Sequence, residues 1–372
     1  MRRDIGTDDP RVKVRAGKSS RPRTKVRPDW SREPLARVIG VDRGRYTLRL
    51  EQSGVRVFAV RAKELRRGSV IMGDLVRVTG DLSGRHDTLA RIVAVEERAS
   101  VLRRSLEDAP DAKGEKAIVA NAEIMCIVVA LADPPPRTGM IDRCLVAAYE
   151  AGLEPLLCLT KADLASPAEL LDAYSPFGLR TIVTRSDAPG EGLEDLRGAL
   201  KDRFSVLVGH SGVGKSTLIN ALVPEANRAV GHVNEVTGRG RHTSTSSQAF
   251  ELPEGGWIVD TPGVRSFGLG HVEVSDVLGV FPEVDEVTQF CLPLCSHAAD
   301  APSCAIDAWI RGDAPCAAAD PGERARRSAL AASARRLLEA RLLDHVAHAH
   351  EARVIRLVPR DDTVGRDLLV RT

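Results

Sequence analysis

Aromatic residues are scarce in this sequence: 3% of 372 residues, with only Tyr46 and Phe58 between Leu35 and Ala99. Gripping a nucleic-acid strand by stacking successive bases needs a row of aromatic platforms. The shortage argues against that mode for the N-terminal third. Long apolar runs are also missing. The longest, IMCIVVALA from Ile124 to Ala132, falls well short of the roughly 20 residues that span a bilayer and reads as a buried strand. The opening stretch, MRRDIGTDDPRVKVRAGKSS, is charged and has no apolar centre, so it does not read as a secretory signal. Seven cysteines, an odd count placed mostly in apolar segments, argue against a disulfide scaffold and for a reduced, cytoplasmic protein.

Net charge is small, +2, but unevenly spread. Residues 1–98 carry 24 Lys/Arg against 13 Asp/Glu, which makes that region +11 and the remainder −9. A basic end beside an acidic body points to a polyanionic partner at that end. Residues 1–34 read as a basic disordered tail: between Arg11 and Arg27 there are eight basic residues and no acidic ones, broken by Gly, Ser and Pro.

Residues 35–99 change to short alternating segments separated by turn signals: LARVIGV, RYTLRLE, VRVFAV, DLVRVTG and TLARIVAVEE. Five short strands in so few residues predict a small closed barrel of OB type. With little to stack on, it would meet the phosphates of a folded RNA through Arg43, Arg45, Arg66 and Arg67. A barrel that binds nothing is the plainer alternative.

Residues 103–270 alternate strands and helices, the mark of a mostly parallel sheet. Within them VLVGHSGVGKSTLIN runs from an apolar strand through Gly209-x-x-x-x-Gly214-Lys215-Ser216 into a helical pattern. That context suits a nucleotide-binding loop of Gly209, His210, Ser211, Gly212, Val213, Gly214, Lys215, Ser216 and Thr217, in which the backbone N–H groups of Ser211 to Thr217 cradle phosphates. Downstream, strand WIVD ends in Asp260-Thr261-Pro262-Gly263; the Asp suits Mg²⁺ and the Gly a close approach to a terminal phosphate. No motif that reads a guanine base follows. It lies upstream instead, where PLLCLT ends in Thr160-Lys161-Ala162-Asp163. The Asp163 carboxylate can accept from the guanine N1–H and N2 amino group, which adenine does not offer, while the Lys161 stem packs over the ring. Ligands of such sheets gather at these strand ends. The order is base motif, phosphate loop, magnesium Asp: a GTP site cut and rejoined, which is cheap where chain termini lie close together.

Here the chain resembles the circularly permuted GTPases, and within them the ribosome small-subunit-dependent GTPase A family, RsgA. The resemblance rests on TKAD, GHSGVGKS, the GRGRHTST stretch from Gly238, DTPG, the leading barrel and a Cys/His cluster, and covers Leu35 to about Ile306. It implies an α/β fold: a circularly permuted P-loop GTPase domain with an N-terminal OB-type β-barrel and a C-terminal zinc-binding helical domain at residues 271–350, then a flexible tail at 351–372. The cluster is Cys291-x3-Cys295-x-His297-x6-Cys304, three thiols and an imidazole able to close a tetrahedral shell around one Zn²⁺. Its spacing is one residue shorter between the first two cysteines and one longer before the last than is usual for the family. Cys126, Cys144 and Cys158 read as core, Cys316 is unassigned, and His345, His348 and His350 read as a helix surface.

By the same resemblance Ser216, Thr243 and Asp260 hold Mg²⁺, with Thr243 or Thr245 sensing the terminal phosphate; Thr160 stands where the family often has Asn. The stretch TRSDAPGEG from Thr184 is similar to the segment that supports the guanine O6. Val264 follows DTPG where many GTPases have a water-orienting Gln, so slow intrinsic hydrolysis is expected, with His242 the candidate catalytic group or merely a partner contact. The implied activity is a GTPase of late 30S subunit maturation, binding 16S rRNA as a monomer in the GTP form and leaving after hydrolysis, with no membrane or DNA partner. Two rivals stand beside it: an ATP-using P-loop enzyme, and a non-catalytic RNA-binding assembly factor holding GTP as a structural ligand.

Overall fold

The computed structural model describes residues 29–85, 87–105, 115–188, 190–224, 247–260, 272–313 and 319–357, with the backbone alone for Ser105, Glu115, Ser247 and 341–357. By contacts the chain divides into Met1–Arg32 and Glu33–Thr372; the first unit is described only over its last four residues, where Ser31 N–H donates to the Asp29 carboxylate at 2.9 Å.

In the second unit five strands appear where the alternation predicts them: β1 Leu35–Asp42, β2 Arg45–Leu50, β3 Arg56–Arg61, β4 Leu75–Gly80 and β5 Ala90–Val95. Every second residue turns inward, so Ala36, Val38, Leu48, Val57, Val76 and Ile92 fill one small core. The strand order is β1-β2-β3-β5-β4, and β4 pairs back onto β1, which closes the barrel. β3 and β5 run parallel. Strand β1 does double duty. An irregularity between Val38 and Gly40 breaks its register with β2, and the residue at the break, Ile39, enters the core of the neighbouring domain instead of the barrel. Beyond it Gly40 and Val41 pair with Gln248 and Ser247. The barrel and the α/β domain are thereby one continuous sheet.

That second domain is built on β8 Ile124–Ala130, β9 Glu154–Thr160, β10 Arg180–Val183, β11 Phe204–Val208, β12 Ser247–Glu251 and β13 Trp257–Asp260. Their order is β10-β9-β8-β11-β13-β12, parallel except for β12. All residues of β8 and β11 are buried, as strands covered on both faces must be. Helices α3 Leu193–Leu200 and α4 Lys215–Leu222 cover one face. On the other lie α1 Thr138–Glu150 and α2 Ala168–Tyr174, joined by the C-terminal helices α5 Val274–Leu278, α6 Pro282–Thr288, α7 Ala305–Arg311 and α8 Pro321–Leu357. Cys126, Cys144 and Cys158 are core, as the sequence implies.

Two features differ from the sequence reading. A hairpin, β6 Val101–Ser105 and β7 Glu115–Ala120, bridges the barrel and the α/β domain, so a boundary at residue 103 cuts through a strand. The C-terminal helix is a single rod that continues past residue 350 to Leu357, into the stretch read as a tail. It is anchored by Arg336, whose guanidinium lies 3.2 Å from the buried Asp142 carboxylate and 4.6 Å from the centre of the Tyr174 ring. Burial pushes the Asp142 carboxyl up, against the pull of Arg336 and the Tyr174 hydroxyl.

The junction is tight around Gly73. Its N–H donates to Val38 O at 2.9 Å while Ala120 N–H donates to Met72 O at 2.8 Å. Next to it the fully buried Asp74 is held by Arg98 through contacts of 2.7 and 2.9 Å, and accepts from Ile71 N–H at 2.8 Å. Gly73 has φ +81°, and a Cβ there would lie 2.0 Å from the Ala120 carbonyl oxygen. Backbone cannot yield by that much without opening the joint. Gly73→Ala is therefore expected to destabilise the protein by about 3 kcal/mol or more, read as a lowered urea midpoint; an unchanged midpoint would show that the joint does not bear on stability.

Candidate nucleotide site and metal centre

Central strand β11 delivers the phosphate loop at its C-terminal end. Gly209 has φ +155°, and a Cβ on it would sit 2.4 Å from Val128 O of the adjoining strand, so the chain can turn here only because the side chain is absent. Gly214, at φ +97°, sits at the N-terminus of α4, whose first residues are Lys215, Ser216 and Thr217. Ser216 and Thr217 are exposed at the helix start, where free N–H groups and the helix dipole favour an anion. The Lys215 ammonium folds back over the loop and donates to the carbonyls of Gly209 and His210 at 2.5 and 2.8 Å. Burial pulls its pKa below the ordinary lysine value, opposed by the nearby Asp260 carboxylate. An incoming phosphate would strengthen the charged form and replace those carbonyls as its acceptor.

Strand β13 ends at Asp260, which is the register partner of Leu207 in β11. This places the carboxylate beside the root of the loop. β9 reaches the same edge through β8, to which it is paired along its whole length. Its last residue, Thr160, is buried, and its hydroxyl donates to Val213 O of the phosphate loop at 2.7 Å. The hydroxyl thus pins the phosphate loop to the strand that carries the base motif. Lys161 follows at φ +60°, and its ammonium donates to the Asp133 carbonyl on the loop after β8. The Asp163 carboxylate is aimed by Ser186, whose N–H donates to it at 2.8 Å. Ser186 belongs to the TRSDAPGEG stretch, which therefore supports the base motif directly. Asp133 and Ser186 act through main-chain atoms, so no residue-type signal in the sequence marks them.

Thr160, Lys161, Asp163, Gly209 to Thr217 and Asp260 thus converge on one edge of the sheet. His242, Thr243, Thr245 and Gly263 lie outside the described residues, as does Val264. The arrangement offers a carboxylate for a base edge, a lysine stem beside it, and a loop of main-chain donors with one ammonium for a polyphosphate.

A second constellation lies among the C-terminal helices. Ligand atoms of Cys291, Cys295, His297 and Cys304 all fall within 4.8 Å of one another. Cys291 Sγ is 3.6 Å from His297 Nδ1 and 3.9 Å from Cys304 Sγ. A tetrahedral centre with metal–sulfur bonds of about 2.3 Å and metal–nitrogen bonds of about 2.0 Å requires separations of roughly 3.5 to 3.8 Å. The donor set fits a four-coordinate metal, and the altered spacing does not stop the ligands meeting. Leu294 at φ +65° and His297 at φ +56° make the turns that allow it. Burial pushes the Cys291 thiol up to about 11, while Ala305 N–H donates to its sulfur at 3.3 Å and favours the thiolate. Burial first, then Arg335, lowers the His297 pKa, which keeps the imidazole neutral as a ligand must be. Arg335 also donates to the His297 carbonyl at 3.1 Å and pairs with Asp307 at 2.7 Å, tying this loop to α8.

Comparison with known proteins agrees with this geometry. A family model described as RsgA GTPase matches residues 95–270. Small ribosomal subunit biogenesis GTPase RsgA of Pseudomonas syringae pv. tomato is 42% identical over 223 residues, covering 58% of this chain and 63% of the relative. The protein of that name from Pseudomonas aeruginosa is 43% identical over 216 residues, 56% of this chain and 63% of its own. The chain therefore spans about 63% of the length of the curated relatives it matches. Among solved structures, YjeQ from Thermotoga maritima aligns with a TM-score of 0.57 and 25% identity, over 82% of this chain and 98% of that one. YloQ, described as a circularly permuted GTPase, aligns with a TM-score of 0.54 and 21% identity, over 81% and 94%. The resemblance to the RsgA family and the permuted GTPase fold are both borne out.

Thr160→Val keeps the shape of the side chain and leaves the Val213 carbonyl without its donor. An unmade buried hydrogen bond costs about 1 to 3 kcal/mol, so the affinity for a fluorescent guanine nucleotide should fall about tenfold with the fold intact; unchanged affinity would remove the pinning role. Cys304→Ala should lower bound divalent metal, measured by mass spectrometry, from one equivalent per chain to nearly none; metal-free wild-type protein would overturn the metal centre.

Proposed function

We propose that this protein is a GTP hydrolase that acts on the small ribosomal subunit late in its maturation. The observation that carries the reading is the convergence of Asp163, held by Ser186, with a phosphate loop pinned by Thr160 on one sheet edge. A carboxylate set there selects guanine, because adenine has no donor pair to offer it. The loop and Lys215 neutralise the phosphates. Ser216, Asp260 and Thr243 are the residues that would hold Mg²⁺, which would supply charge stabilisation to the phosphates. Val264 cannot orient water, so basal hydrolysis is slow, and His242 is the group that a partner would bring into place.

The division of labour follows the domains. The barrel and the basic tail at 1–34 meet 16S rRNA, the α/β domain up to residue 270 binds and hydrolyses GTP, and the C-terminal helical region after it carries one Zn²⁺ and a second set of RNA contacts. Relatives named for small ribosomal subunit biogenesis support the partner, and the thiolate-rich tetrahedral donor set supports zinc over harder metals. The GTP form binds the subunit as a monomer in the cytoplasm and leaves after hydrolysis. No helix among the described residues is long and apolar enough to cross a membrane.

The test is GTP turnover by the purified protein alone and with equimolar 30S subunits, with 50S subunits and ATP as controls. Acceleration of about a hundredfold or more by 30S alone is expected. No acceleration, with GTP still bound, would replace this reading by the non-catalytic binding factor, and equal turnover of ATP would replace it by the ATP-using enzyme.

A further inference from the structure

Between the barrel and the β6–β7 hairpin lies a cleft of about 820 Å³, away from the phosphate loop. Its composition is one-sided. Arg43, Arg61, Lys63, Arg67, Arg104 and Lys116 line it, and among the described residues no acidic one does. Between these cations the lining is apolar, with Tyr46, Ile71, Met72 and Val119 among it. Four of the cations come from the barrel, but Arg104 and Lys116 come from the hairpin, where they stand directly opposite each other in the β6–β7 register. Like charges so placed destabilise a two-stranded ribbon. An anion between them would relieve that repulsion.

The two features together limit the ligand. A bare inorganic anion would use the cations and waste the apolar lining; an apolar molecule would leave six positive charges without a counter-charge as it displaced their water. A nucleotide satisfies both, its base against the apolar lining and its phosphate on the cations. We propose that this cleft is a second nucleotide-binding site, distinct from the GTP site, which takes a phosphate-bearing nucleotide either as one unit of an RNA strand or free. The proposal extends the RNA-binding reading of the barrel and is independent of GTP hydrolysis. The cleft also touches the catalytic domain. Val41, in its lining, pairs with Ser247, the first residue of β12, so an occupant would press on the strand that follows residues 225–246 directly.

The experiment uses the full chain with GDP saturating the phosphate-loop site. Two probes are titrated: a fluorescent single-stranded RNA of about 12 nucleotides, and trinitrophenyl-ATP as a free nucleotide. The variant is Arg104→Glu with Lys116→Glu; Arg43→Glu with Lys63→Glu tests the barrel side; Arg180→Glu with Lys201→Glu makes the same charge change at exposed positions elsewhere. For an RNA unit, both cleft variants should weaken the RNA about tenfold or more and flatten its salt dependence by about 1.4 in log–log slope, since each single-strand phosphate contact contributes about 0.7. The control should change affinity less than twofold. For a free nucleotide, the loss falls on trinitrophenyl-ATP instead. Affinities unchanged for both probes, or reduced equally by the control, would overturn the proposal. GDP binding and basal GTP turnover, read on the same preparations, should match wild type; they report folding and test the GTPase reading separately.

Discussion

One hydrogen bond, from the Thr160 hydroxyl to the Val213 carbonyl at 2.7 Å, ties together the two halves of the candidate nucleotide site. The halves are 53 residues apart in the chain. They meet because β9, β8 and β11 lie side by side and run parallel, so that their C-terminal ends share one edge. A parallel sheet is indifferent to the order in which its strands are made, provided each finds its neighbours. The base motif can therefore precede the phosphate loop in sequence and still face it in space. What the rearrangement changes is the exit: after β13 the chain passes to the C-terminal helices, which pack on the same face as α1.

The second constraint is the sharing of β1. A strand that closes a barrel on one side and extends an open sheet on the other must change faces partway, and the break at Ile39 accomplishes this. Glu251 at the end of β12 reinforces the joint, paired with Arg49 at 2.7 Å and Arg56 at 3.3 Å on the barrel. These pairs are half exposed and contribute little each. The main-chain pairing and the packing around Gly73 matter more. The barrel and the α/β domain are thus joined through the pairing of β1 with β12.

Much of this was legible beforehand. The five barrel strands, the phosphate loop, TKAD and the Cys/His cluster were visible because each depends on residue type at fixed spacing. Period-2 burial marks Ala36, Val38 and Leu48, glycines mark the loop, and thiols mark the cluster. Other features left little trace. The β6–β7 hairpin is interrupted by a charged stretch, LEDAPDAKG, without the apolar alternation that marks a strand pair. The roles of Ser186 and Asp133 use backbone atoms, which every residue has. The bond from Thr160 to the phosphate loop needs the fold, because sequence reveals that a donor is present but not which acceptor lies beside it. The opposed pair Arg104 and Lys116 needs the register, which spacing along the chain cannot supply.

The central claim is that an upstream base motif and a downstream phosphate loop form one guanine-selective site, and calorimetric titration of the protein with GDP and with ADP tests it most directly. One GDP should bind per chain, at least about a thousandfold tighter than ADP, because a site built around a hydrogen-bonding carboxylate rejects a ligand that leaves it unpaired. Equal affinity for the two nucleotides would mean that Asp163 does not read the base, and that the two halves do not act as one site.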